Sequence, residues 1–250
     1  MNEPSRKKTA VVTGASSGIG AATARALAAA GFEVFLGARR HDKLEEVARS
    51  IGGNAQPLDV TSEDSVESFV TQCPKAIDLL VNNAGGALGL EPIEDSDDQD
   101  WRTMWEVNVL GVARMTRAIL PALRRAPDAH VIVVGSIAGF ETYSGGAGYT
   151  AAKHGVRAVT RTLRLELLGE PIRVTEVCPG LAETEFSLVR FKGDSERADA
   201  VYRGLEPLTG DDVADCIVWA TTRPPHVNID EIVVRPRDQA TATAIHRRDD

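Results

Sequence analysis

The feature that most constrains this chain is an alternation: short runs of β-branched and apolar residues recur between longer segments with helical spacing. The runs are TAVVTG (9–14), FEVFLGA (32–38), AQPLDV (55–60), IDLLVNNAG (77–85), HVIVVGS (130–136), IRVTEVCPG (172–180) and DEIVVRP (230–236). Between them, Ala21 to Ala30, His41 to Ser50, Trp101 to Arg125 and Tyr149 to Leu168 are each long enough for a helix. Strands this continuously apolar are buried on both faces, so the expected fold is α/β. It is a doubly wound parallel sheet of about seven strands with helices on both faces.

At 250 residues the chain suits one large domain, and neither a linker nor a repeat divides it. Residues 1–236 are expected to form that domain. The stretch 237–250, ending DQATATAIHRRDD, is expected to be a tail that orders only against a partner chain. A net charge of −8 argues against sequence-independent binding to nucleic acid or to an anionic membrane. No apolar run reaches the ~18 residues of a membrane span, and MNEPSRKKTAVVTG lacks the apolar core of a signal peptide, so a cytoplasmic location is expected. Cys73, Cys178 and Cys216 are far apart and read as reduced thiols; the histidines do not cluster, and no metal is expected.

TGASSGIG follows the first strand and precedes a helix. Gly14, Gly18 and Gly20 permit a tight turn and a close approach of backbone to a pyrophosphate, which a helix N-terminus then stabilises through unpaired N–H groups. Ser16 and Ser17 add hydroxyls, and Ile19 lies within the loop. The spacing departs from G-x-G-x-x-G, but the strand-to-helix context is that of a Rossmann-type dinucleotide site. The second strand ends GARR, with no carboxylate to accept a ribose 2′-hydroxyl. Arg39 and Arg40 suit a 2′-phosphate and hence NADP(H); the alternative is a solvated strand end paired with Asp42.

AGYTAAK (147–153) places Tyr149 one helical turn before Lys153. A cation beside a phenol favours the phenolate and makes the pair a candidate acid/base device; the plain alternative is an i,i+4 surface pair.

Taken together, TGASSGIG, LDV at 58–60, NNAG at 82–85, Asn108, Ser136, YTAAK and PGLAET at 179–184 resemble the short-chain dehydrogenase/reductase family over nearly the whole chain. The step of 13 residues from Ser136 to Tyr149 is part of that resemblance. It implies a catalytic tetrad of Asn108, Ser136, Tyr149 and Lys153. The tyrosine would exchange a proton with the substrate oxygen and the serine would hold that oxygen. The lysine would lower the phenol pKa and bond the nicotinamide ribose, and Asn108 would support a proton-carrying water. The resemblance further implies that Asp59 and Val60 contact adenine, Asn83 and Gly85 the adenosine side of the cleft, and Pro179, Gly180 and Thr184 the nicotinamide side. It also implies dimers or tetramers. GALGLEP, TEFSLVRFKGD and HVNIDEIVVRP are similar to the NADP-dependent 3-hydroxy acid dehydrogenase subgroup, which includes serine and allo-threonine dehydrogenases.

The expected activity is therefore an NADP(H)-dependent interconversion of alcohol and carbonyl on a small substrate. The family places a substrate lid after Thr184, here within 181–208. Phe186 and Arg190 would there close over a small molecule and hold a carboxylate, as in a 3-hydroxy acid. The alternatives are uncharged ketones or aldehydes, or a non-catalytic dinucleotide-binding regulator.

Overall fold

A computed structural model describes residues 6–248. Its strands are β1 (Thr9–Thr13), β2 (Glu33–Ala38), β3 (Asn54–Pro57), β4 (Leu79–Asn82), β5 (Ala129–Val134), β6 (Ile172–Pro179) and β7 (Glu231–Val234). They form one seven-stranded sheet in the order β3-β2-β1-β4-β5-β6-β7, with every pairing parallel. The chain runs outward from β1 to β3, then crosses to β4. That reversal opens a crevice beyond the carboxyl ends of β1 and β4, where ligands of such sheets bind.

The helices are α1 (Gly18–Ala29), α2 (His41–Ile51), α3 (Glu63–Thr71), α4 (Asp98–Trp105), α5 (Gly111–Leu123), α6 (Ala147–Glu166), α7 (Phe186–Arg190), α8 (Ser195–Ala200) and α9 (Gly210–Thr221). Strand alternation divides the core. Ala10 and Val12 of β1 pack with Ala24 and Leu27 of α1 and Ile217 of α9, whereas Val11 between them packs with Val112, Met115 and Ile119 of α5. Fully buried side chains such as Leu27, Leu36, Ile119 and Ile132 each contribute roughly 1.5–3 kcal/mol of transfer free energy. Small residues set how closely α1 approaches the sheet: a Cβ on Gly20 would lie 2.4 Å from both the Gly14 carbonyl oxygen and Asn83 Nδ2.

Two departures from expectation bear on the site. The long helix expected over Trp101 to Arg125 is broken by a π turn at Glu106–Leu110, a wide turn that holds Asn108. The tail does not await a partner chain, because it folds back over its own cleft. Gln239 is buried and accepts from Leu181 N at 2.8 Å, Glu141 accepts from Ala242 N at 2.5 Å, and Arg247 donates to the carbonyls of Val201 and Arg203. These bonds join residues 44 to 101 positions apart, a span over which local pattern carries no signal. Among the described residues no helix is long and apolar enough to cross a membrane.

Candidate active site

A cleft of about 790 Å³ runs along the carboxyl edge of the sheet. Of the residues expected at the site, only Gly20 and Asn108 do not line it. Both are buried behind it, Gly20 in the helix packing described above.

The phosphate end rests on backbone geometry. Gly14 and Gly18 have φ of +65° and +52°, a region that side chains disfavour, and a Cβ on Gly14 would come 2.9 Å from the backbone of Ala84. Asn83 secures this turn rather than reaching outward, since its Nδ2 donates to the carbonyls of Thr13 at 2.9 Å and Gly14 at 3.2 Å. The Thr13 hydroxyl accepts from both Asn83 N and Ala84 N.

At the end of β2 the two arginines separate in role. Arg40 Nη2 donates to Ser17 Oγ at 2.5 Å and to Ser16 Oγ at 3.2 Å, and Nη1 donates to Glu185. No bond joins either arginine to Asp42. Arg39 instead acts on Asp59: burial pushes that carboxyl up, but the bonds from Thr61 N and Oγ1 and the charge of Arg39 together hold it below its ordinary value. Asp59 is thus both a turn former and a wall of the cleft. Val60 beside it is packed by helix α5, where Gly111 leaves no room for a Cβ.

The chemical end is built on α6. Tyr149, Ala152, Lys153, Val156 and Thr160 recur on its buried face, so the tyrosine and lysine point the same way. Lys153 Nζ lies 5.8 Å from the Tyr149 ring centroid and donates to Val134 O at 3.1 Å. Burial lowers the Lys153 ammonium to about 8, against the opposing pull of Cys178 and Glu176. Burial likewise pushes the Tyr149 phenol well above its ordinary value, helped by Tyr143, while the Ser136 hydroxyl and Arg190 pull it down. The phenol is therefore not lowered here as expected of the pair: desolvation of the phenolate outweighs the pull of Ser136 and Arg190. Ser136 caps the turn Ile137–Gly139, accepting from Ala138 N at 3.1 Å, and still faces the cleft.

Asn108 acts from behind. Its Nδ2 donates to Gly86 O at 2.9 Å and Met104 O at 2.7 Å, and its Oδ1 accepts from Gly86 N at 3.2 Å. The carboxamide thereby clamps the loop after β4. A Cβ on Gly85 would stand 2.6 Å from Asn108 Oδ1 and 3.7 Å from Lys153 Nζ, so a glycine leaves the gap these two side chains share.

Over the chemical end lies α7. The Phe186 ring meets Tyr149 edge-on at 5.5 Å. The Arg190 guanidinium sits between Tyr143 and Tyr149, 5.4 and 5.8 Å from their ring centroids, and its Nε donates to Gly89 O at 2.9 Å. Its Nη2 is buried with no protein partner. A desolvated guanidinium nitrogen without an acceptor is costly, and an anionic substrate group would satisfy it. Local sequence did not single out Tyr143, Tyr202, Gln239, Thr243 or Arg247, which also line the cleft. Tyr143 has Ala147, not a cation, one helical turn on; its cation, Arg190, comes from α7.

The glycine turn, the Arg40 cluster and the cleft fit a dinucleotide bearing a 2′-phosphate. Among the described residues no group of three His, Cys, Asp or Glu is placed to hold a metal ion.

Comparison with known proteins places these features in context. The short chain dehydrogenase family model matches residues 8–193. An uncharacterized oxidoreductase of Mycobacterium tuberculosis is 57% identical over 95% of this chain and 94% of its own length. Sulfoacetaldehyde reductase 2 of Chromohalobacter salexigens is 42% identical, covering 95% and 98% of the two chains. The NADP-dependent 3-hydroxy acid dehydrogenase of Schizosaccharomyces pombe is 42% identical, covering 96% and 97%. Among solved structures, the closed form of a serine dehydrogenase complexed with NADP+ superposes with a TM-score of 0.91 at 39% identity, covering 96% of this chain and all of the other.

Proposed function

The chain belongs to the short-chain dehydrogenase family, and from that premise we propose that it is an NADP(H)-dependent oxidoreductase interconverting the alcohol and carbonyl of a small anionic substrate, a 3-hydroxy acid in the first instance. The observation that carries the substrate reading is the unsatisfied Nη2 of Arg190, buried beside the Tyr149 phenol. Similar proteins are named for substrates bearing a carboxylate or a sulfonate, which supports it.

Gly14, Gly18, Ser16, Ser17 and Arg40 would hold the phosphates, Asp59 and Val60 the adenine side, and Lys153, Pro179, Gly180 and Thr184 the nicotinamide side. A bound nicotinamide supplies or accepts the hydride. The protein handles the proton. In the reducing direction Tyr149, protonated at neutral pH with its pKa raised, gives its proton to the oxygen gaining negative charge; in the oxidising direction the phenol first loses its proton to solvent and then takes the one released by the alcohol. Ser136 orients that oxygen toward the phenol. Lys153, held near 8, exchanges protons close to neutral pH and can recharge the tyrosine. Arg190 and Phe186 fix the far end of the substrate and exclude water. A cytoplasmic location and assembly into dimers or tetramers belong to the same reading.

The test is absorbance at the NADPH band with 3-hydroxy acids, their methyl esters and neutral secondary alcohols compared side by side. The acids are expected to turn over with the highest kcat/KM, and Arg190→Ala to remove that selectivity. Esters equal to or better than the acids would overturn the anionic substrate.

A further inference from the structure

The lid helix α7 is fastened at both ends. At its foot, Arg40 Nη1 donates to Glu185 Oε2 at 2.5 Å and Lys43 Nζ donates to Oε1 at 2.5 Å. At its other end, Gly89 N donates to Arg190 O at 3.0 Å while Arg190 Nε returns a bond to Gly89 O. One short helix therefore connects Arg40 and Lys43, at the start of α2, to the two tyrosines of the chemical end.

The arrangement at the foot is a competition. Nη2 of Arg40 is engaged by Ser17 and Ser16, and Nη1 by Glu185. A phosphate arriving beside Ser17 gains Nη1 and the Lys43 ammonium only by replacing the Glu185 carboxylate, since two anions repel at such a distance. The bonds from Lys43 and Arg40 hold the Glu185 carboxyl down at about 2, so it is an anion at any ordinary pH. Its side chain is 36% exposed, and ion pairs that wet are weak enough to be exchanged.

Resting on the dinucleotide reading above, we propose that Glu185 is a latch that the cofactor 2′-phosphate releases. The phosphate takes Arg40 and Lys43, and the foot of the lid comes free. A nucleotide lacking the 2′-phosphate leaves the latch shut. Glu185 and Lys43 are then specificity-determining residues, and discrimination between the two nicotinamide cofactors acts on the lid as well as on affinity.

Calorimetric titration with adenosine 2′,5′-bisphosphate and adenosine 5′-monophosphate, coupled to amide hydrogen exchange of the full chain, tests this without turnover. In the wild type the bisphosphate is expected to speed exchange at Val189 and Phe191, whose N–H groups bond to Glu185 O and Ser187 O, and the monophosphate is not. Glu185→Gln is expected to bind the bisphosphate about three- to tenfold more tightly, the monophosphate unchanged, with lid exchange already fast before ligand is added. Tighter binding with no change in exchange would reduce Glu185 to a repelling charge and overturn the latch. So would a variant that matches the wild type in both measurements while the wild type still prefers the bisphosphate, an outcome that leaves the dinucleotide reading standing. If the wild type binds neither ligand, both fall.

Discussion

Lys153 Nζ and the Tyr149 ring stand 5.8 Å apart on one buried face of α6, with the ammonium directed at the Val134 carbonyl rather than at the phenol. The two groups therefore titrate under a shared desolvation, which raises the acid and lowers the base.

Removing the phenolic proton while keeping the ring tests the acid. Tyr149→Phe is expected to retain nucleotide binding and the edge-on contact with Phe186, and to lose about 10²–10⁴-fold in kcat. Paired measurements of nucleotide Kd and single-turnover rate decide it; a variant with most of its rate intact would remove Tyr149 from the chemistry.

A buried ammonium with a single protein hydrogen bond is a stability cost. The folded pKa of Lys153, about 8, lies below the ordinary lysine value, so the unfolded chain binds the proton more tightly and protonation works against folding. The cost is present in full below pH 8 and fades as pH rises toward 10. Lys153→Met is expected to stabilise the fold by about 1–3 kcal/mol at pH 7, less whatever the unbonded Val134 carbonyl costs. Thermal midpoints at pH 7 and pH 9.5 check the sign: the gap between variant and wild type should narrow at the higher pH.

His130 gives the opposite limb of the pH profile. The Thr175 hydroxyl donates to Ile229 O at 2.6 Å, so His130 Nε2 carries the hydrogen that bridges to Thr175 at 2.8 Å, and Nδ1 is a buried lone pair without a partner. Burial, with Arg173 nearby, lowers the ring to about 3. The folded value is depressed, so stability is full above pH 6.5 and is lost as pH falls from there toward 3, amounting to about 2 kcal/mol at pH 5. Denaturant midpoints of wild type and His130→Gln should converge or cross between pH 7 and pH 5; parallel curves would refute the assignment.

Arg40 and Arg39 are expected to differ. Arg40 is fixed to Ser17 and Ser16 at the phosphate loop, whereas Arg39 faces Asp59. Arg40→Leu should weaken NADPH by about tenfold or more with a smaller effect on NADH, and Arg39→Leu should cost less than Arg40→Leu. Fluorescence titration of both cofactors against both variants measures the four ratios; equal losses would reassign the phosphate to the pair.

We propose assembly through the apolar side chains exposed along and just beyond α4 to α6. Trp105 and Leu110 are 46% and 37% exposed, and Leu165 and Leu168 reach 75% and 86%. Light scattering at micromolar concentration is expected to give twice or four times the 26.8 kDa chain mass. A mass near one chain would exclude an obligate oligomer.

What the sequence determined by itself was whatever is local or periodic. Apolar runs marked the central strands β1, β4, β5 and β6, because a strand buried on both faces must be apolar throughout, whereas the edge strand β3, NAQP, is only half-buried and was marked by its place in the alternation. Gly14 and Gly18 were legible because only glycine takes positive φ freely, and Tyr149 with Lys153 because one helical turn separates them. The tertiary structure decided what depends on partners distant in the chain. No spacing announces that Arg190 lies between two tyrosines, or that Glu185 reaches Arg40 across 145 positions. Nor does it show that Gln239 brings the tail over its own cleft. The pKa directions at Tyr149 and Lys153 are of the same kind: they follow from how much water is excluded around α6, and burial is set by the whole fold.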